Sequence, residues 1–357
     1  MDVVVRGENG RMVSDESWMR LALGEAARGV GLTSPNPPVG AVLVSDGREI
    51  GRGWHRRAGG AHAEIEALRD AEARGLRVRG ATCYVSLEPC STSGRTPPCV
   101  GALIEAGVAR VVWAVDDPDP RHEGRARALL VAAGIEVDSG VCGELGGELV
   151  AAWGKWVRTG WPWVVAKAGV TMDGRIQRPP WEGRWITSEA SREHAMGLRA
   201  AADAVLVGGG TARADRPSLT VRGASLRVGK VQPWRVVWSQ SGELGEGSPL
   251  LSDEYRDRTL VRGGAIGDVL GELGGMGVVR VLAEGGNRLM GALLGERQVD
   301  ELWVYRAPVL ALGGLPFVGG LDFEGGAGSL GLRLIERAMI GGDEVGRYVV
   351  TKKGCPA

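Results

Sequence analysis

The sequence predicts two successive α/β domains, residues 1–150 and residues 151–357. Three observations carry this. At 357 residues the chain exceeds the size at which a single hydrophobic core keeps growing. Short β-rich runs alternate with helix-period stretches along most of its length, the pattern of strands and helices packed in layers. The alternation is interrupted by "WGKWVRTGWPW", which reads as a linker, and it restarts at "VVAKAGVTMDG".

Taken in order, residues 1–13 read as a loose extension. "SDESWMRLALGEAARG" follows as a helix: Ser14 or Asp15 is the N-cap, Trp18, Leu21, Leu23 and Ala26 fall near helical spacing, and Gly29 is the stop. "VGAVLVSDGREIGRGWH" is a hairpin turning at Asp46-Gly47. "HAEIEALRDAEARG" is a helix with Ile65, Leu68 and Ala71 apolar, and "GATCYVSLEP" a short buried strand. "PCVGALIEAGV" is a helix, "RVVWAVDDPDP" a strand, and "GRARALLVAAGIEV" a helix and strand again, together a three-layer α/β domain. The second domain alternates through "ADAVLVGGGTARAD", "PWRVVWSQSG", "VVRVLAEGGNRLMGALL" and "VDELWVYRAPVLALGG". No repeat links the halves, so two unlike units are expected.

Composition narrows the function. Lys+Arg and Asp+Glu both number 43, so no global field favours nucleic acid or an anionic membrane. A phosphorylated ligand would need local arginines or backbone N–H groups. Two Phe and four Tyr are few for an RNA surface, and many of the twelve Trp sit near the linker, where packing between domains or subunits of a homo-oligomer is expected. The N-terminal stretch lacks a signal-peptide core and no run reaches 18 apolar residues, so a cytoplasmic address is expected. Five cysteines, an odd number, argue for metal binding or free thiols over a disulfide framework.

The first chemistry-bearing cluster is His62, Glu64, Cys90 and Cys99. One imidazole and two thiolates make a three-ligand zinc site that keeps its fourth position for water. Zinc lowers the pKa of that water, and a carboxylate two residues beyond the histidine can shuttle its proton. Hydrolytic deaminases combine these parts as H-x-E…P-C-x-x-C. Pro89-Cys90 fits that pattern, whereas the eight residues between Cys90 and Cys99 do not fit its short form. An isolated His-x-Glu is ordinarily a surface feature, so the conjunction carries the reading. Cys83 lies mid-strand as a buried apolar thiol, and Cys142 and Cys355 lack ligand spacing.

In the second domain no G-x-G-x-x-G opens the alternation. Two strand–glycine–helix junctions, Gly208–Thr211 and Gly285–Asn287, instead offer N–H groups to an anion. Arg199 and Arg222 are candidate phosphate holders, and Glu284, ending an apolar strand, needs a partner.

"TSPNPPVGAVLV", "GWHRRAGGAHAEIEAL", "YVSLEPCSTSGRTPPC" and "DPDP" closely resemble the deaminase half of the bifunctional riboflavin-biosynthesis deaminase/reductases, in which the cysteine gap is the long one. "LRAAADAVLVGGGTARADRPSLTVR", "AEGGNRLMGALL" and "VDELWVYRAPVLALGG" resemble the reductase half. The resemblance implies a cytidine-deaminase-like three-layer α/β/α domain followed by a dihydrofolate-reductase-like α/β domain. It implies zinc on His62, Cys90 and Cys99, Glu64 as proton shuttle, and Asn36 on a phosphorylated pyrimidine. The "STSGRTPP" insert and the Asp117–Pro120 turn would hold the ribose phosphate. NADPH would contact Gly169, Trp185, Thr211, Asp215, Gly286, Asn287, Arg288, Leu289, Met290, Gly291 and Ala292. The substrate of the reduction would contact Lys167, Arg199, Leu219, Arg222 and Glu284. Four departures stand out: Thr92 where the family usually has histidine, Asp119 for asparagine, Gly183 for serine, and Ser239-Gln240 for Asp-Ser. They leave open a relative acting on another aminopyrimidine or pterin-like intermediate, or a deaminase with an inactive reductase domain. A zinc-stabilised binding module without catalysis is the alternative from a different class.

Overall fold

The computed structural model describes residues 5–6, 12–92, 98–122, 124–245, 247–321 and 328–351. The chain divides into two compact units, Met1–Thr159 and Gly160–Ala357.

Strands β1 (Val5–Arg6) and β2 (Met12–Val13) pair as a two-residue antiparallel ladder in the stretch expected as a loose extension. Helix α1 (Asp15–Ala27) follows, with Ser14 at its N-cap and Asp15 and Glu16 complementing the helix dipole in its first turn. The hairpin β3 (Gly40–Ser45) and β4 (Arg48–Trp54) turns at Asp46 and Gly47, both at positive φ, as a two-residue loop between twisted strands requires. Then come α2 (Ala63–Ala73), β5 (Thr82–Val85), α3 (Cys99–Ala106), β6 (Arg110–Trp113), α4 (Arg125–Ala132), β7 (Glu136–Ser139) and α5 (Gly143–Thr159). The sheet order is β4-β3-β5-β6-β7, antiparallel about β3 and parallel from β5 to β7.

Period-two alternation sorts the core. Ala41, Leu43, Cys83, Val85, Val111 and Trp113 meet α2, α3 and α4 on one face of this sheet. Val42, Val44, Tyr84 and Val112 meet Trp18, Met19, Ala22 and Leu23 of α1 and Leu149 of α5 on the other. Three layers result. The stretch read as a linker is largely helical: Trp153–Thr159 completes α5, which buries Gly146, Val150 and Trp153 at helical spacing. The division of the chain falls just beyond it.

The second unit runs β8 (Trp163–Thr171), α6 (Glu189–Ala201), β9 (Ala204–Gly208), α7 (Gly209–Asp215), β10 (Trp234–Trp238), β11 (Thr259–Arg262), α8 (Ile266–Gly275), β12 (Arg280–Glu284), α9 (Asn287–Gly295), β13 (Glu301–Ala307), β14 (Gly331–Ile340) and β15 (Asp343–Thr351). Its eight strands are ordered β11-β10-β9-β12-β8-β13-β15-β14, parallel through β13 and antiparallel at β15 and β14. Helices α8 and α9 cover one face over Val164, Ala166, Leu206, Val281 and Ala283. Ala195 of α6 packs on the opposite face with Val165 and Leu282. Among the described residues no helix is long and apolar enough to cross a membrane.

Candidate active sites

Local chain direction brings the first cluster together. His62 is the N-cap of α2, Cys99 the first residue of α3, and Cys90 follows the end of β5. Helix α2 lies close enough to β4 for this because Gly53 has no side chain. A Cβ there would stand 2.5 Å from the backbone nitrogen of Ala67. His62 turns Nδ1 to both sulfurs, 3.2 Å from Cys99 Sγ and 3.4 Å from Cys90 Sγ, and the three donors lie within 4.8 Å of one another. Tetrahedral bonds of zinc length put a nitrogen and a sulfur ligand about 3.5 Å apart, so the residues fit the ion. The Cys99 N–H also donates to Cys90 Sγ at 3.2 Å. Hydrogen bonds from Cys99 and then His62 draw the Cys90 thiol well below its ordinary range, favouring the thiolate a metal needs. Residues 93–97 of the "STSGRTPP" insert, expected to help hold the phosphate, lie outside the described residues.

Glu64, 3% exposed, sits behind the cluster, and burial raises its pKa first, followed by the charge of Cys90. Asn36 Nδ2 lies 3.1 Å from His55 Nε2. His55 Nδ1 lies 2.9 Å from the Ala61 carbonyl, which can only accept, so Nδ1 carries the hydrogen and Nε2 receives from Asn36. Burial lowers the pKa of His55 and keeps that neutral tautomer in place. The amide of Asn36 is thereby fixed with its oxygen left for a ligand. No sequence signal marked His55 beyond its place in "GWHRRAGGAH".

The second unit holds a cleft of 1410 Å³ at the C-terminal ends of its parallel strands, where open α/β sheets bind ligands. Its volume exceeds the roughly 300–1,000 Å³ usual for one drug-sized ligand, giving room for a dinucleotide and a substrate. Gly169, Trp185, Thr211, Asp215, Gly286, Asn287, Arg288, Leu289 and Met290 line it. Gly291 and Ala292 lie further along α9; a Cβ on Gly291 would strike the Gly319 carbonyl, so its role is packing. Gly286 has φ 89°, and a Cβ on it would come 3.0 Å from Thr211 Oγ1. This bare N-cap leaves the first-turn amides of α9 for a phosphate. Arg178, Arg184, Arg192 and Arg213 also line the cleft, and Trp185 lies between Arg184 and Arg192, 4.8 and 4.7 Å from their guanidinium carbons. Ordinary surface-like spacing hid these arginines in the sequence.

Lys167 borders the same cleft. Arg199 and Glu284 form a bidentate pair, Nε–Oε1 2.7 Å and Nη2–Oε2 2.6 Å. Burial pushes Glu284 upward, but Arg199, Lys167 and Arg222 together hold its carboxyl below the usual range. Burial lowers Lys167, with Arg199 and Arg192 adding to the effect against Glu284. Leu219 is 1% exposed in the core and Arg222 is exposed. Gly183, Ser239 and Gln240 all border the cleft.

Residues 12–115 match the cytidine and deoxycytidylate deaminase zinc-binding region, and residues 162–343 match the RibD C-terminal domain. The riboflavin biosynthesis protein RibD of Escherichia coli is 39% identical over 328 residues, 84% of this chain and 89% of that one. Its Mycobacterium tuberculosis counterpart is 42% identical over 303 residues, 84% of this chain and 87% of that one. The chain belongs to the RibD family. Solved structures agree with this. Acinetobacter baumannii RibD is 35% identical, with a TM-score of 0.84 over 95% of this chain and 99% of that one. The Thermotoga maritima deaminase/reductase is 30% identical, with a TM-score of 0.83 over 94% and 98%. As a RibD-family protein it is an enzyme of riboflavin biosynthesis with a zinc-dependent deaminase unit and an NADPH-dependent reductase unit.

Proposed function

We propose that the first unit hydrolytically deaminates 2,5-diamino-6-ribosylamino-4-pyrimidinone 5′-phosphate, and that the second reduces the ribosyl chain of the product to ribityl. The carrying observation is the pairing, within one RibD-family chain, of the His62–Cys90–Cys99 triad backed by buried Glu64 with a cleft sized for a dinucleotide and a substrate. Zinc held by the triad supplies a Lewis acid that makes water nucleophilic at neutral pH. Glu64 takes a proton from the attacking water and delivers it to the amino group; a C–O bond forms, the C–N bond breaks and ammonia leaves. Asn36, locked by His55, orients the pyrimidine.

NADPH held by the cleft would supply the hydride that reduces the open-chain ribosyl imine or aldehyde carbon, itself becoming NADP+. In that half, positioning dominates. The α9 amides and the cleft arginines hold phosphates, and Arg199 is kept in place by Glu284. We assign the accompanying proton to Lys167, which borders the cleft and whose charged form burial disfavours. The test is incubation with the diaminopyrimidine phosphate, with and without NADPH, and mass analysis of the products. Exchange of an amine for oxygen is expected without NADPH, and a further gain of two hydrogens with it. No ammonia from this substrate would overturn the assignment, and ammonia without NADPH turnover would remove the reductase half.

A further inference from the structure

We propose that Tyr305 is a positioning residue of the reductase unit: its ring face holds the Lys167 ammonium at the cleft, and His194 fixes the ring. The proposal rests on the proton assigned to Lys167 above. Lys167 lies on β8 and Tyr305 on the neighbouring parallel strand β13, where Lys167 is in register with Trp303 and Gly169 with Tyr305. Residues two apart on a strand share a face. Trp303 and Tyr305 therefore stand on the face that packs with Val165 of β8 and Ala195 of α6, and Lys167, two residues beyond Val165, points to that same side. Its Nζ lies 5.4 Å from the centroid of the Tyr305 ring, within reach of the ring quadrupole.

Little else holds that ammonium. Among the described residues Lys167 makes no hydrogen bond and no ion pair, and both carboxylate oxygens of Glu284 face Arg199, at 2.7 and 2.6 Å. Burial disfavours the charged form of Lys167 most; Glu284 favours it, and Arg199 and Arg192 oppose it. A cation–π contact strengthens as it is desolvated, so the ring face counts for most at such a site. The ring in turn is held in place. Tyr305 is 1% exposed, and its hydroxyl lies 2.8 Å from Nδ1 of His194 on α6, the partner a buried phenol needs. Trp303 stacks beside it, with centroids 6.4 Å apart and planes 24° from parallel, and is itself anchored by donating Nε1–H to Glu301 at 2.6 Å. Burial and the charge of Glu284 raise the pKa of Tyr305 and keep it neutral. With its hydroxyl engaged by His194, Tyr305 acts on Lys167 through its face and is not itself the proton donor.

The experiment follows reduction of pre-deaminated substrate by the full-length protein with NADPH. Tyr305→Leu removes the ring face and is expected to lower kcat roughly tenfold, whereas Tyr305→Phe keeps the face, loses only the hydroxyl contact to His194 and stays within about threefold of the parent. KM for NADPH and ammonia release by the first unit hold in both. The pH profile of kcat supplies a readout that packing alone does not move. The charged groups acting on Lys167 are Glu284 of β12 and Arg192 and Arg199 of α6, with His194 beyond the Tyr305 ring, and neither variant alters them. The ring face favours the ammonium, so its loss lowers the pKa of Lys167 in the folded protein. The alkaline limb of the profile therefore moves down by about one pH unit in Tyr305→Leu and stays in place in Tyr305→Phe. In a Lys167→Met background, Tyr305→Leu is expected to cost nothing further, because the two side chains act as one unit. Equal losses in Tyr305→Phe and Tyr305→Leu, an alkaline limb that does not move, or the full further loss in the Lys167→Met background would each overturn the proposal alone. Parent-level turnover by Lys167→Met itself would remove the proton assignment and the proposal with it, a result distinct from the others.

Discussion

Glu64 and Gln have nearly the same shape, so Glu64→Gln isolates proton transfer from packing. The amide cannot accept the proton, and kcat for ammonia release is expected to fall roughly 10²- to 10⁴-fold. Zinc content and NADPH oxidation on pre-deaminated substrate remain at parent levels, which a coupled assay with metal analysis checks. Glu284 presents the opposite case, a carboxylate held by partly buried cations. Glu284→Gln leaves Arg199 and Lys167 without their counter-charge, and because the pair is only partly buried the loss is about 1–3 kcal/mol, below that of a fully buried pair. Urea unfolding of the full chain measures it, and a loss within experimental error would show that solvent reaches the pair. His62, Cys90 and Cys99 were legible as ligands, with Glu64 beside them as proton shuttle, because zinc-assisted hydrolysis needs those residue types together and the His-x-Glu and Pro-Cys pairs stand in the sequence. His55, Arg184 and Arg192 were not, because their roles come from contacts that only the fold creates.

Between elements, α1 is tied to β5 and β6 of the first sheet by charge. Asp15 accepts from Arg110 Nη1 at 2.9 Å, from Arg110 Nη2 at 2.8 Å and from the Tyr84 hydroxyl at 2.6 Å. Arg110 chiefly lowers the pKa of Asp15, against burial. A carboxyl depressed in the folded state stabilises fully above its unfolded pKa, near 3.9, and loses that contribution as pH falls through the folded value. Asp15→Asn should therefore destabilise most at neutral pH, and its difference from the parent should close below about pH 4. Denaturant titrations at pH 7 and pH 3 give the comparison; a gap unchanged between them would contradict it. The close approach of α2 to β4 makes a second test. Gly53→Ala forces a methyl onto backbone, an overpacking cost of about 1–3 kcal/mol. Because α2 carries His62 and Glu64, zinc affinity should fall with stability. Most elements were legible from period and caps, but "WGKWVRTGWPW" was not. Its aromatic run conceals the spacing of Gly146, Val150 and Trp153 that makes α5 one helix.

At the scale of the whole molecule, each unit carries its own sheet, its own core and its own ligand site. A ligand that binds only the folded form stabilises what it binds, by about 2.7 kcal/mol at a hundred times its Kd. For a unit of 150–250 residues this amounts to a shift in Tm of roughly 5–10 °C. Calorimetry of the full chain should therefore show two transitions that respond to different additions. Chelation lowers the one that reports the first unit, since His62 and the two thiols lose the cation that joins three separate segments. NADPH raises the other and leaves the first in place. The two-domain reading drawn from the alternation of strands and helices makes the same demand, because each half must bury its own apolar faces to fold. A single transition moved equally by chelator and by NADPH would mean that the two cores unfold as one, and the division at Thr159 would then describe geometry without describing stability.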